Sequence, residues 1–356
     1  MARFRLLSID GGGIRGLIPA LVIAEIERET QRPAAELFDA IAGTSTGGII
    51  ALGLSKRIPA EKIAALYKRD GAQIFHEGWI RRTVYGVLDH AKGILPKGLP
   101  RLPHHAVPAD LVEPKYRAEY RREVLSRVFE STPISAAATR LFIPSYETSR
   151  RMPVFFVRGE DVSSSSYHCA TSAGTMLDVA LATSAAPAYF RPHAVERSLL
   201  PLPVDGEGLL SFVDGGIFAN NPSGLAHSFL NKGATSDDDM VVSLGTGSMT
   251  QPYTFDAIDG WGALEWSLPM LKMMFDGQSE AVAMALQQRL PQGSYYRLQA
   301  YLAPTNDADT DHLGVSVSDD LDNSTDTNVA AMEEFAARLI ASRRAEIDQL
   351  CERLVR

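Results

Sequence analysis

The residues best suited to break an ester bond in this chain are a serine framed by glycines, Gly43-Thr44-Ser45-Thr46-Gly47, and a distant aspartate in Asp214-Gly215-Gly216. A serine hydroxyl becomes a useful nucleophile when a neighbouring base takes its proton, and acyl transfer also needs N–H donors for the oxyanion. Phe38, Ala40, Ile41 and Ala42 precede the pentapeptide, and Gly48, Ile49, Ile50, Ala51, Leu52 and Leu54 follow it. A buried strand, a tight turn and a packed helix are therefore expected around Ser45. Gly43 and Gly47 suit such a turn, because strand and helix approach each other too closely for side chains there. Ser45 then stands at a helix N-terminus, where backbone N–H groups favour developing negative charge.

The base is less obvious. Histidine is the usual choice, and Asp214 followed by His227 or His312 would give the order Ser, Asp, His of the α/β-hydrolases. His227 falls inside a helical pattern and His312 in a polar loop, so both read as packing or surface histidines. Asp214 ends the apolar strand Phe212-Val213 ahead of two glycines that leave its carboxylate accessible. Partly desolvated at the C-terminal edge of a sheet, it can accept the serine proton without histidine; the alternative is an aspartate that caps a turn. His104-His105 has no carboxylate or cysteine at ligand spacing, so no metal is expected.

A second glycine stretch, Asp10-Gly11-Gly12-Gly13-Ile14-Arg15-Gly16, follows a strand candidate at Phe4 to Ile9 and precedes a helix from about Leu17 to Glu29. Strand, loop and helix in that order present free N–H groups to an anion. Gly11, Gly13 and Gly16 also fit the dinucleotide pattern G-x-G-x-x-G. That reading wants an acidic residue ending a second strand, whereas Glu29 lies in the helix and Asp39 enters the serine turn.

The elements that must hold these groups alternate between strand and helix. Helices are expected over Ile58 to Phe75, Tyr120 to Phe129, Thr175 to Ala185 before Ala186-Pro187, and about Gly262 to Leu290. Another should start with Asn221 as N-cap and Pro222 at its first position. Strands are expected at Leu141 to Ser145, Val154 to Val157, Met240 to Leu244 and Tyr295 to Leu302. The prolines of residues 76–116 mark an insertion or lid. A final helix spans about 326–355, with Met332, Phe335, Leu339, Ile347, Leu350 and Leu354 on one face. The whole, residues 1–356, reads as a single α/β domain with a largely parallel sheet.

Bulk properties narrow the class. With 45% apolar and 22% charged residues the chain reads as an ordinary globular protein, and a net charge of −8 argues against DNA or RNA as partner. No apolar stretch reaches the length of a membrane span and none reads as a signal peptide, so a cytoplasmic protein that touches membranes only at their surface is expected. Cys169 and Cys351 are too few for a disulfide framework and read as reduced.

Taken in order, the Asp10 to Gly16 loop, the Gly43 to Gly47 turn and Asp214-Gly215-Gly216 with Asn220-Asn221-Pro222 resemble the three signature blocks of the patatin-like phospholipases. Pro187 after the alanine-rich helix also fits. The resemblance covers Arg3 to Leu244 and implies a three-layer α/β/α fold that hydrolyses acyl esters of phospholipids or lysophospholipids through an acyl-enzyme, without metal or organic cofactor. It implies a dyad of Ser45 as nucleophile and Asp214 as base, with an oxyanion hole from the loop of Gly11, Gly12 and Gly13. Arg15 either holds that loop or contacts a substrate phosphate. A transacylase would use the same Ser45, and a nucleotide-binding regulatory protein would use the glycine loop alone.

Trp79, with Arg81 and Arg82 nearby, and Trp261 with Trp266, ahead of the run Leu268 to Phe275 that contains Lys272, suit either a lid or a membrane contact. Phe275-Asp276-Gly277-Gln278-Ser279-Glu280, in so compact a chain, also resembles the CapV-type phospholipases of bacterial anti-phage signalling. That second resemblance implies activation by a cyclic di- or trinucleotide and action at the inner membrane. It designates no nucleotide-binding residues and leaves oligomerisation open.

Overall fold

The computed structural model describes residues 4–75, 114–159, 169–171, 174–197, 208–231, 239–248, 252–304 and 313–356. Most of the expected proline-rich lid lies outside the described residues, as do Trp79, Arg81, Arg82, His104, His105 and His312.

Short apolar runs form strands β1 (Arg5–Ile9), β2 (Ala40–Gly43), β3 (Arg140–Glu147), β4 (Met152–Arg158), β5 (Cys169–Thr171), β6 (His193–Glu196), β7 (Leu209–Asp214), β8 (Met240–Leu244) and β9 (Tyr295–Leu298). Among the described residues they make one sheet in the order β5-β4-β3-β2-β1-β8-β9, with β7 paired to β3 and β6 to β7. From β9 to β3 every neighbour is parallel. β2 and β8 are buried at every position, which is why their sequences run apolar without alternation. The expected parallel sheet thus holds across the half that carries the serine turn. Elsewhere it is mixed, because β4 returns antiparallel to β3 and β7 enters antiparallel on the other side.

Helices α1 (Leu17–Thr30), α2 (Ala34–Leu37), α3 (Thr46–Ser55), α4 (Ala60–Ile74), α5 (Ala118–Phe129), α6 (Met176–Thr183), α7 (Gly216–Ala219), α8 (Ser223–Leu230), α9 (Phe255–Ile258), α10 (Ala263–Arg289), α11 (Asp326–Ser342) and α12 (Arg344–Val355) flank the sheet. Successive strand residues point to opposite faces. Leu7, Ile9, Ile41, Val242 and Leu244 accordingly pack with α1, α3, α11 and α12, while Leu6, Ala40, Ala42 and Val241 pack with α8 and α10 through Leu230 and Leu286. Two apolar layers on one sheet make the three-layer α/β/α arrangement.

Several boundaries differ from expectation, and three of the differences have a visible local cause. The final helix is two, broken at Arg343 (φ −105°, ψ 18°), and the break lets both pieces lie against α1. All six residues of its expected face are nevertheless buried in one cluster. α8 begins after Pro222, and the Asn221 side chain caps it by accepting the Ser223 N–H at 3.1 Å. β9 stops at Leu298, and Leu302 is held instead through its N–H to the Ser248 carbonyl at 3.0 Å.

Candidate active site

Ser45 is the residue on which β2 turns into α3. Its backbone lies at φ 54°, ψ −120°, a conformation that costs a side-chain-bearing residue roughly 1–3 kcal/mol. The turn leaves the residue no alternative, since a Cβ on Gly43 would stand 2.1 Å from the Gly47 carbonyl oxygen and one on Gly47 would stand 2.2 Å from that of Ile9. The Ser45 N–H donates to Thr183 Oγ1 at 3.0 Å, and Thr183 in turn donates to the Pro144 carbonyl at 2.6 Å. End of α6, β3 and the serine turn are thereby tied together.

Sheet register delivers the aspartate. Ala42 of β2 pairs with Phe142 of β3, whereas three residues further along β3 it is Asp214 of β7 that pairs with Ser145. β7 therefore enters where β2 has left the sheet to make its turn. There the Ser45 hydroxyl donates to Asp214 Oδ2 at 2.7 Å, while Oδ1 accepts the Gly216 N–H at 2.8 Å. The chain after α6 frames the same carboxylate, with the Asp214 N–H on the Ala185 carbonyl at 3.0 Å, just before Pro187.

Asp214 is completely buried, and burial pushes its pKa up to about 6, against the lowering effects of the Ser45 hydroxyl, the Gly216 N–H and the Arg121 charge. Arg121, on α5, is itself buried, stacks on the Phe190 ring at 4.1 Å and donates to the Ser184 carbonyl. Burial pulls its pKa down, with Asp214 opposing, yet a guanidinium stays charged at neutral pH.

The glycine loop closes the other side. Gly12 and Gly13 line the same pocket as Ser45 and Asp214, and a Cβ on Gly11 would lie 3.3 Å from that of Ser45. Among the described residues no acceptor takes the N–H of Gly12 or Gly13. Gly13 needs its positive φ of 58° and the absence of a side chain, because the Leu321 carbonyl, which accepts the Ile14 N–H at 2.8 Å, crosses directly over it. Arg15 is buried beneath, its Nε donating to the Gly12 carbonyl at 3.4 Å, and among the described residues its Nη1 has no hydrogen-bond partner. Asp10 points away and pairs with Arg297 at 2.7 Å. The pocket they surround is walled mainly by apolar and aromatic side chains, among them Ile49, Leu125, Tyr189, Phe190 and Phe275.

The patatin-like phospholipase family profile matches residues 7–227, which takes in the loop, the serine turn and Asp214. The chain belongs to the patatin-like phospholipase family. It is 30% identical to patatin-like protein 2 of Arabidopsis thaliana over 308 residues (78% of this chain, 70% of that one). It is equally 30% identical to a cGAMP-activated phospholipase of Pseudomonas aeruginosa over 317 residues (87% and 82%). The solved structure of VipD from Legionella pneumophila aligns with 96% of this chain and 67% of its own at 12% identity and a TM-score of 0.35. Members of the family are serine acyl hydrolases, and this patatin-like phospholipase is one.

Among the described residues no histidine lines its pocket. His227 lies on the opposite face of the sheet, its ring 6.2 Å from that of Phe4 and its Nε2 3.7 Å from Asp239, and burial holds its pKa down. Asn220 ties the glycine loop to α10, its amide donating to Ser279 Oγ at 3.0 Å and to the Gly11 carbonyl at 3.4 Å. α10 turns Leu271 and Phe275 inward over the pocket and leaves Leu268, Met270, Met273 and Met274 exposed. The lid and the membrane contact expected of this stretch thus each have a face of one helix available. Trp261 and Trp266 pack edge to face at 5.1 Å, and Lys272 pairs with Asp320 at 2.7 Å. No helix among the described residues is long and apolar enough to cross a membrane.

Thr183 and Arg121 are the site residues that sequence reading passed over. For Arg121 a signal existed: it lies four residues before Leu125 and eight before Phe129, on the buried stripe of α5. For Thr183, at the end of an alanine-rich helix, there was none.

Proposed function

We propose that this patatin-like phospholipase hydrolyses phospholipid or lysophospholipid acyl esters through a Ser45-Asp214 dyad, and the observation that carries the reading is the 2.7 Å bond from Ser45 Oγ to Asp214 Oδ2 at the base of an apolar pocket. Asp214 takes the hydroxyl proton as Ser45 Oγ attacks the ester carbonyl carbon. The oxyanion of the tetrahedral intermediate lies against the N–H groups of Gly12 and Gly13, with Arg15 beneath the loop. Collapse expels the alcohol, which receives the proton from Asp214, and leaves Ser45 acylated. A water then gives its proton to Asp214 and attacks the acyl carbon, and collapse of the second tetrahedral intermediate breaks the Ser45 Oγ–acyl bond, with Asp214 returning the proton to Ser45 Oγ as the fatty acid leaves. The apolar walls suit an acyl chain and keep the carboxylate in a medium where a proton transfer from serine is feasible.

Ser45→Ala and Asp214→Asn are expected to lose ester hydrolysis by about a thousandfold or more while circular dichroism stays unchanged. Turnover retained in either variant would remove that residue from the dyad. Product analysis with an added alcohol acceptor separates hydrolysis from acyl transfer.

A regulated form of the same activity is supported by the relative named a cGAMP-activated phospholipase, which aligns over most of both chains. In this reading a cyclic di- or trinucleotide switches on membrane-lipid hydrolysis at the inner membrane as an anti-phage response. Fatty acid release from vesicles, measured across a panel of cyclic dinucleotides and trinucleotides, tests it; equal release with and without every member would refute the gating.

A further inference from the structure

We propose that an apolar groove between α3, α4 and α5 is the site for the distal part of the substrate's acyl chain, and that Ile49, Leu66 and Leu125 set the chain length accepted. The proposal rests on Ser45 being the nucleophile. Outside the pocket that holds the dyad, a second hollow is lined by Gly53, Ile58, Ile63, Val128 and Phe129, and also by Lys62 and Arg127. Ile49, Leu66 and Leu125 face both hollows, one residue from each of the three helices.

The helix geometry aligns the two spaces. Ser45, Ile49 and Gly53 recur every four residues along α3, so they form one stripe that runs about 12 Å from the nucleophile. That distance compares with the ~15 Å half-thickness of a bilayer's hydrocarbon core, the length a membrane-lipid acyl chain occupies. Leu125 and Phe129 continue the stripe on α5, as Leu66 and Ile63 do on α4. Gly53 lets α3 and α4 close on each other at the far hollow, because a Cβ there would stand 2.9 Å from the Ile63 methyl. Beyond it, Lys56 Nζ donates to the Val128 carbonyl at 2.7 Å and joins the C-terminal end of α3 to α5. An acyl carbonyl at Ser45 thus directs its tail past Ile49 into a space with apolar walls and an exposed outer edge. A chain too short to pass Ile49, Leu66 and Leu125 leaves that space unused.

The test is the chain-length profile on p-nitrophenyl esters from C4 to C16. Val128→Trp and Ile58→Trp, both at half-buried positions away from the dyad, fill the far hollow. Each should lower kcat/KM for the C16 ester by about tenfold or more and leave the C4 ester within about twofold. Leu66→Ala should raise the C16 to C4 ratio. A profile unchanged in both tryptophan variants, with C4 turnover intact, overturns the groove assignment and leaves the dyad standing. Wild-type protein that neither turns over the C4 ester nor labels at Ser45 with a fluorophosphonate overturns both.

Discussion

At the residue scale the site stores cost in two places. Ser45 pays a backbone penalty at φ 54°, and only a glycine is at ease there. Ser45→Gly should therefore be more stable than Ser45→Ala by about 1 kcal/mol in urea unfolding, although both lack the nucleophile. Asp214 carries the other cost. Its folded pKa of about 6 lies above the ordinary carboxylate value, so between pH 4 and pH 6 the folded chain keeps a proton that the unfolded chain has released. Stability contributed by this group falls as pH rises through that window and stays low above it. The stability of Asp214→Asn relative to wild type should grow by about 2–3 kcal/mol from pH 4 to pH 8; a constant difference would mean that the carboxylate titrates normally. The same pKa places the acid limb of ester hydrolysis near pH 6, since the base must be ionised. Arg121→Met removes a charge that favours the carboxylate and should move that limb up by about one pH unit, while Arg121→Lys should largely restore it.

At the element scale, glycines of similar appearance have opposite roles. Gly47 lets α3 approach β1, and Gly47→Ala drives a Cβ into the Ile9 carbonyl oxygen at 2.2 Å. Backbone cannot yield there as a side chain could, so a loss of about 3 kcal/mol or more is expected in thermal unfolding. Gly277 lies inside α10 with nothing within 4 Å of a Cβ. Gly277→Ala should instead raise stability by about 0.5–1 kcal/mol. A gain at both positions would show that close approach of helix and strand does not govern the serine turn.

At the scale of the whole molecule, α10 joins the pocket to the outside. Its inward face, Leu271 and Phe275, packs with Tyr189, Phe190 and Leu321 over the dyad, and its outward face carries exposed methionines. A lipid surface is a natural counterpart for such a face. Met270→Asp with Met273→Asp should reduce fatty acid release from phosphatidylcholine vesicles by about tenfold and leave a soluble butyrate ester unaffected. An equal fall on both substrates would assign the methionines to the pocket's packing.

What the sequence determined by itself was local. The serine turn was legible because Gly43 and Gly47 act within a few residues of Ser45, and the parallel strands because burial on both faces leaves an unbroken apolar run. The face shared by Met332 through Leu354 was legible too, although the bend at Arg343 was not, since it depends on how two helices fit around α1. Tertiary structure decided what stands beside the serine. Only the register of β3 against β2 and β7 brings Asp214 to Ser45, and only the fold places Thr183 under the turn, Arg121 in the pocket and Leu321 across Gly13. Those partners come from separate elements, and a contact made across the sheet leaves no periodicity in the residues that make it.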